Sequence, residues 1–215
     1  MIYARFMIRL FPLFLLLLGL LGQAPESFAR PPDKDWPVFG NRIPRDYFVT
    51  WGFGESDVTV HAGSYDDALR MAKIENYNLM KYTSVLPPEA RQVEIPATMH
   101  HGSVLESIYA EISGGKEDGP LAAGVILFKI RKKSDGRLIG GFAAETSEKG
   151  PGAKEKVETT LRKAEKEMFA RRYKAEEMEI TDELITVKEF TPQKRFGTVI
   201  VLVGFTNYIF PQLKP

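Results

Sequence analysis

Hydrophobic and polar positions fall into blocks along this chain, and each block predicts an element. Tyr47 to Trp51 is a short run of aromatic and β-branched residues, which reads as a strand. Ser64 to Ile74 reads as a helix, with Ala68, Leu69, Met71 and Ala72 as its apolar positions. Its opening, Ser64-Tyr65-Asp66-Asp67, has capping-box spacing with Ser64 at N-cap and Asp67 at N3. Asn78 to Thr83 alternates like a strand and stops at Pro87-Pro88, which cannot continue a central strand. Val104 to Ile112 alternates again. Leu121 to Ile130 and Leu138 to Ala144 are apolar runs, and Ser134-Asp135-Gly136 between them supplies hairpin turn residues. Ala153 to Lys174 is the clearest helix, because Val157, Leu161, Ala164 and Met168 fall on one stripe among charged residues. Glu179 to Phe190 and Thr198 to Phe210 predict two more strands. About six or seven strands and two helices imply an α/β (α+β) layered sandwich, with β-sheets flanked by helices.

The first block has a different character. Arg5 and Arg9 precede the apolar run Leu10 to Leu21, and Ser27-Phe28-Ala29 places small residues around a cut after Ala29. This is the pattern of a signal peptide over 1–29. The run is short of the about 20 apolar residues that span a membrane, and an uncleaved anchor is the alternative. Pro31, Pro32, Pro37 and Pro44 make 30–46 an extended arm. A single domain over 47–215 remains. The expected location is periplasmic or secreted.

Composition narrows the chemistry. At 44% hydrophobic and 27% charged residues the chain is of globular type. Its net charge is +1, and removal of 1–29 brings it to neutrality, so charge gives no argument for a nucleic-acid partner. The basic run Lys129-Ile130-Arg131-Lys132-Lys133 at a hairpin end reads as a solvated turn. Gly52-Phe53-Gly54 and Gly114-Gly115-Lys116 lack phosphate-loop spacing and read as turns. There is no cysteine, which excludes disulfides, thiolate zinc sites and a thiol nucleophile. Histidines are His61, His100 and His101, and no third ligand stands at metal-binding spacing from the last two. No metal is expected. Any electrophile must come from elsewhere.

Two carboxylates stand out on position alone. Asp66 has no capping duty, although a carboxylate in a first helical turn is often only stabilised there by the helix N-terminus. Glu145 follows a buried-strand pattern, where a carboxylic acid suits proton transfer, and an ordinary strand-end Glu is the alternative.

The run Asn78-Leu79-Met80-Lys81-Tyr82-Thr83-Ser84-Val85-Leu86-Pro87-Pro88-Glu89-Ala90 resembles the self-cleavage region of pyruvoyl-dependent arginine decarboxylases. Asp66-Asp67-Ala68-Leu69 upstream and Gly140-Gly141-Phe142-Ala143-Ala144-Glu145 downstream are similar to that family as well. The resemblance extends from Tyr47 to Phe210 and implies that family's fold. It implies self-cleavage between Thr83 and Ser84, giving a β chain 30–83 and an α chain 84–215. It implies a covalent pyruvoyl cofactor made from Ser84, which forms a Schiff base with arginine. Glu145 would then be the proton donor, Asp66 would bind the guanidinium, and Leu69 and Asn78 would line the pocket. The products would be agmatine and carbon dioxide. Trimers of cleaved protomers are implied, with sites at subunit interfaces. Thr83 stands where many members have Ser, and it supplies only the carbonyl that is attacked. Two other readings stay open at this point: a non-catalytic exported binding protein for a cationic amino acid on the same scaffold, and a decarboxylase of another amino acid.

Overall fold

The β-branched and aromatic runs become long strands that stack into two sheets. The structure, a computed structural model, describes residues 40–97 and 100–212. The expected signal peptide and most of the Pro-rich arm lie outside the described residues. The strands are β1 (Ile43–Ser56), β2 (Asn78–Lys81), β3 (Val85–Leu86), β4 (Arg91–Gln92), β5 (Val104–Gly114), β6 (Leu121–Lys132), β7 (Leu138–Lys149), β8 (Met178–Phe190) and β9 (Phe196–Ile209). The helices are α1 (Asp66–Met71), entered through a π-helical turn at Val60–Tyr65, and α2 (Ala153–Arg172).

One sheet has the order β2-β5-β9-β1-β4 and the other β3-β7-β6-β8. Alternation along β9 sorts its side chains between two cores. Val199, Val201, Val203 and Phe205 face Leu121, Ala123, Val125 and Leu127 of β6 between the sheets. Ile200 and Leu202 point the other way, onto Ala68, Leu69 and Ala72 of the α1 region. Helix α2 covers the far face of the second sheet, where Val157 and Leu161 meet Ala122 and Ile126. The result is the expected α+β layered sandwich, with one helix outside each sheet.

Several local expectations are corrected. Gly52-Phe53-Gly54 is not a turn: it lies inside β1, paired with Thr198 to Ile200 of β9. Helix α1 sits so close that a Cβ on Gly52 would lie 2.0 Å from the Ala68 carbonyl oxygen, so these glycines make room for the helix. Strand β1 also starts at Ile43, inside the expected arm. Asp46 there is buried and binds Arg91 at 2.6 Å and Asn207 at 2.7 Å, tying β4 and β9 to β1. These donors and Arg45 hold its carboxyl well below the usual carboxylate range.

The Ser64 capping box does not form. The preceding residues already carry the helical turn, so Ser64 is not the first residue. Its buried hydroxyl instead lies 2.9 Å from the Thr198 hydroxyl on β9, which in turn lies 2.8 Å from that of Ser113. Asp67 accepts from Arg70 at 2.8 Å. Helix α1 ends short of Ile74 because Lys73 adopts φ 61°, and the Ile74 N–H returns to the Leu69 carbonyl at 3.0 Å. Strand β7 runs on to Lys149, which puts Glu145 inside the strand rather than at its end. The short strands β3 and β4 have no counterpart in the hydrophobic pattern.

Within α2, Glu165 is buried and its Oε1 has no hydrogen-bond partner among the described residues. Burial and the nearby Glu183 carboxylate push it up to about 7, against the weaker opposing pull of Arg162 and Lys166. A raised carboxyl favours the folded state fully below about 4.5, and that contribution is lost as pH rises through about 7. Glu165→Gln removes the buried charge while keeping the shape, so it should stabilise the protein at pH 8 by on the order of 1–3 kcal/mol, one pK unit being about 1.4 kcal/mol. Thermal melts of the two proteins should converge near pH 4.

Candidate active site

The segment between β2 and β3 passes from one sheet to the other. Residues up to Tyr82 belong to the first sheet. Strand β2 pairs in parallel with β5, Lys81 lying opposite Ser107, and the Tyr82 N–H donates to the Ser107 carbonyl at 2.8 Å. Ser84 to Leu86 belong to the second sheet. The Ala143 N–H donates to the Ser84 carbonyl at 3.0 Å, and Val85 and Leu86 pair with Phe142 and Gly141 of β7. The Thr83–Ser84 peptide bond is the crossing itself.

Its local geometry is that of a tight turn. The Val85 N–H donates to the Thr83 carbonyl at 2.9 Å, an i to i+2 bond closed around Ser84. The half-buried Ser84 hydroxyl donates to Glu145 Oε2 at 3.3 Å. The other Glu145 oxygen lies 3.6 Å from Lys81 Nζ, which also sits 4.9 Å from the centre of the Tyr109 ring. A hydroxyl, a polarised carbonyl and a carboxylate are thus gathered at one peptide bond from residues 61 positions apart. Such an arrangement suits attack of the hydroxyl on the carbonyl with the carboxylate as proton acceptor.

The site residues expected from sequence therefore divide. Thr83, Ser84 and Glu145 come together. Asp66, Leu69 and Asn78 lie away from them, on or beside the outer face of the first sheet. Asp66 is exposed, and among the described residues no hydrogen bond or ion pair joins it to Ser84 or Glu145. Leu69 is buried against Phe48 and Leu105, and the Asn78 amide donates to the Gly102 carbonyl at 2.9 Å. Among the described residues no group of three His, Asp or Glu side chains could hold a metal ion.

Three contributors escaped the sequence reading. Lys81 lies in the alternating run Asn78 to Thr83 and carries no signal of its own. The Val85 N–H is backbone and carries no side-chain signal. Glu106 does carry one: an acidic residue next to Leu105 in the alternating run Val104 to Ile112 had to be either exposed or paired. It is buried, accepts from the Tyr82 hydroxyl and pairs with Arg42.

The conditions for a pyruvoyl group at position 84 are met by these residues. The backbone on the Ser84 side is fixed by Ala143, the Thr83 carbonyl lies next to the Ser84 hydroxyl, and the Glu145 carboxyl group stands beside position 84.

Comparison with known proteins points the same way. The sequence pattern of the family described as pyruvoyl-dependent arginine decarboxylase matches residues 46–210. A pyruvoyl-dependent arginine decarboxylase AaxB from Chlamydia pneumoniae is 34% identical over 191 residues, covering 80% of this chain and 95% of that protein. The protein of that name from Chlamydia trachomatis serovar L2 is 34% identical over 189 residues, covering 79% of this chain and 94% of its own. A pyruvoyl-dependent arginine decarboxylase from Pyrococcus abyssi is 30% identical over 128 residues, 59% of this chain and 77% of that one. The matched region begins within β1, ends after β9, and encloses the sheet crossing with its hydroxyl, carbonyl and carboxylate. This chain belongs to the pyruvoyl-dependent arginine decarboxylase family.

Proposed function

We infer that this protein cuts its own chain between Thr83 and Ser84 and then decarboxylates L-arginine to agmatine with the pyruvoyl group so made. The observation that carries the reading is the Ser84 hydroxyl donating to Glu145 beside a Thr83 carbonyl already held by the Val85 N–H.

The cutting step uses this chain's own groups. Ser84 Oγ attacks the Thr83 carbonyl carbon while Glu145 takes the hydroxyl proton. The Val85 N–H stabilises the negative charge that develops on the Thr83 oxygen, as a backbone oxyanion donor does. The carbon–nitrogen bond then breaks, the nitrogen gains the proton, and an ester remains. Loss of the Ser84 α-proton and of the Thr83 carboxylate leaves a dehydroalanine. Water converts that residue to a pyruvoyl group and ammonia.

A pyruvoyl group at that position supplies an electron-withdrawing carbonyl that condenses with a primary amine and accepts the electron pair left by carbon dioxide. The protein's part is placement and proton transfer. Glu145 delivers a proton to the substrate's α-carbon. Lys81 holds one carboxylate oxygen so that the other faces position 84. Asp66 binds the guanidinium, whose planar fork matches a carboxylate in two-point contact. Because Asp66, Leu69 and Asn78 lie apart from Ser84 in one protomer, the complete site is assembled between protomers, in keeping with a trimer. The pattern of residues 1–29 supports export of the enzyme.

Denaturing mass spectrometry of purified protein tests the reading. It should show one chain ending at Thr83 and one beginning with a pyruvoyl-blocked residue 84. A single intact chain, with no carbon dioxide released from arginine, would overturn it. The guanidinium assignment has its own measurement. Asp66→Asn should raise KM for arginine about 10- to 100-fold with little change in kcat, since a charge-assisted contact made equally in ground and transition states is lost. An unchanged KM would remove Asp66 from the site.

A further inference from the structure

The amino side of the scissile bond is held by a buried charge that the reaction itself does not use. Glu106 on β5 is 3% exposed, yet it is a carboxylate. It accepts from the Tyr82 hydroxyl through one oxygen, and its other oxygen pairs with Arg42 just ahead of β1. The Arg42 guanidinium in turn lies 5.4 Å from the centre of the Tyr208 ring. Burial and the neighbouring Tyr82 push the Tyr208 hydroxyl up to about 12, so it stays protonated here. The Tyr82 ring packs on Phe205 with centroids 5.5 Å apart. A buried carboxylate is costly unless its partners are held in place, so the three side chains fix one another.

We propose that Tyr82, Glu106 and Arg42 form a clamp that positions the Thr83 carbonyl for attack by Ser84. This rests on the self-cleavage reading above. Only Thr83 separates the clamped residue from the attacking one. On the far side the Ser84 carbonyl is fixed by Ala143. With both flanks held, the turn at Ser84 cannot open and the carbonyl stays within reach of Oγ. Without the clamp Tyr82 is held on this side only by its N–H to the Ser107 carbonyl, and Thr83 gains freedom because its own side chain is exposed and supplies no anchor. Attack geometry is sensitive to displacements near 1 Å, which can cost about 100-fold in rate. These residues are positioning residues, acting through the backbone.

The test follows conversion of newly synthesised, pulse-labelled precursor into two chains on denaturing gels. Tyr82→Phe keeps the ring on Phe205 and removes only the hydroxyl. It should slow cleavage about 10- to 100-fold. Arg42→Gln, at a half-exposed position outside the core, should slow it severalfold, and Arg42→Lys should restore part of the rate. Melting temperature is measured on the same proteins. A merely structural role would lower it while leaving the cleavage rate at the wild-type value, and that outcome would overturn the clamp. If Tyr82→Phe does not fold, the Arg42 pair decides on the same criterion. Wild-type precursor that is never cut would instead count against the self-cleavage reading itself.

Discussion

Ser84→Ala should yield one uncut chain and no measurable agmatine. On the self-cleavage reading, the substitution removes the nucleophile for the Thr83 carbonyl and, with it, the source of the cofactor. The loss is therefore of kind rather than degree, and the expected fall in activity is to the detection limit. Folding should survive. The Ser84 backbone carbonyl still accepts from Ala143, and Val85 and Leu86 still pair with β7. Only one side-chain hydrogen bond, to Glu145, is given up. Intact mass and release of labelled carbon dioxide from arginine are the two measurements. Cleaved chains or residual turnover in this variant would show that the electrophile arises elsewhere.

Glu145→Gln should separate the two stages of the reaction. The amide keeps the shape and a hydrogen bond to Ser84, but it can neither accept the hydroxyl proton nor return one to the substrate. General acid–base contributions run to about 100- to 10,000-fold. A fall of that size in kcat is expected for whatever fraction matures, with KM changed little, and maturation itself should be slower. The kcat loss is measured per pyruvoyl group, titrated with a carbonyl reagent, so that slow maturation is not mistaken for slow turnover. Wild-type kcat on that basis would transfer the proton-donor role to another residue.

The large elements were legible because their periodicity reports burial directly. Helix α2 buries one stripe, while β6 and β9 bury both faces and show as unbroken apolar runs; stripe, run and alternation are all local signals. What was not legible depended on partners far along the chain. The Ser64 box had the right spacing, yet the hydroxyl found Thr198, 134 positions away, because the π-helical turn already satisfied the backbone there. Gly52 and Gly54 looked like turn residues because nothing local shows that a helix lies across them. Strands β3 and β4, two residues each, are too short to carry any period. At the site, Ser84 and Glu145 could be paired only through a resemblance, since their meeting is a product of sheet register. Strand β7 brings Glu145 to β3 by pairing with it, and no pattern in either segment encodes that partner.

The crossing between the sheets has a consequence for reversibility. Before the proposed cut, folding is a first-order event within one chain. After it, the earlier piece still threads β1 through the middle of the first sheet, paired from Ile43 opposite Ile209 to Ser56 opposite Phe196. The second sheet is built wholly from the later piece. On the self-cleavage reading the mature protomer would be a two-component complex whose unfolding releases two molecules. Its melting point becomes dependent on concentration, and its refolding second order. The precursor and its product share one architecture but obey different mass-action laws. Such a maturation would turn one continuous chain into two that, once parted by heat or dilution, must find each other again.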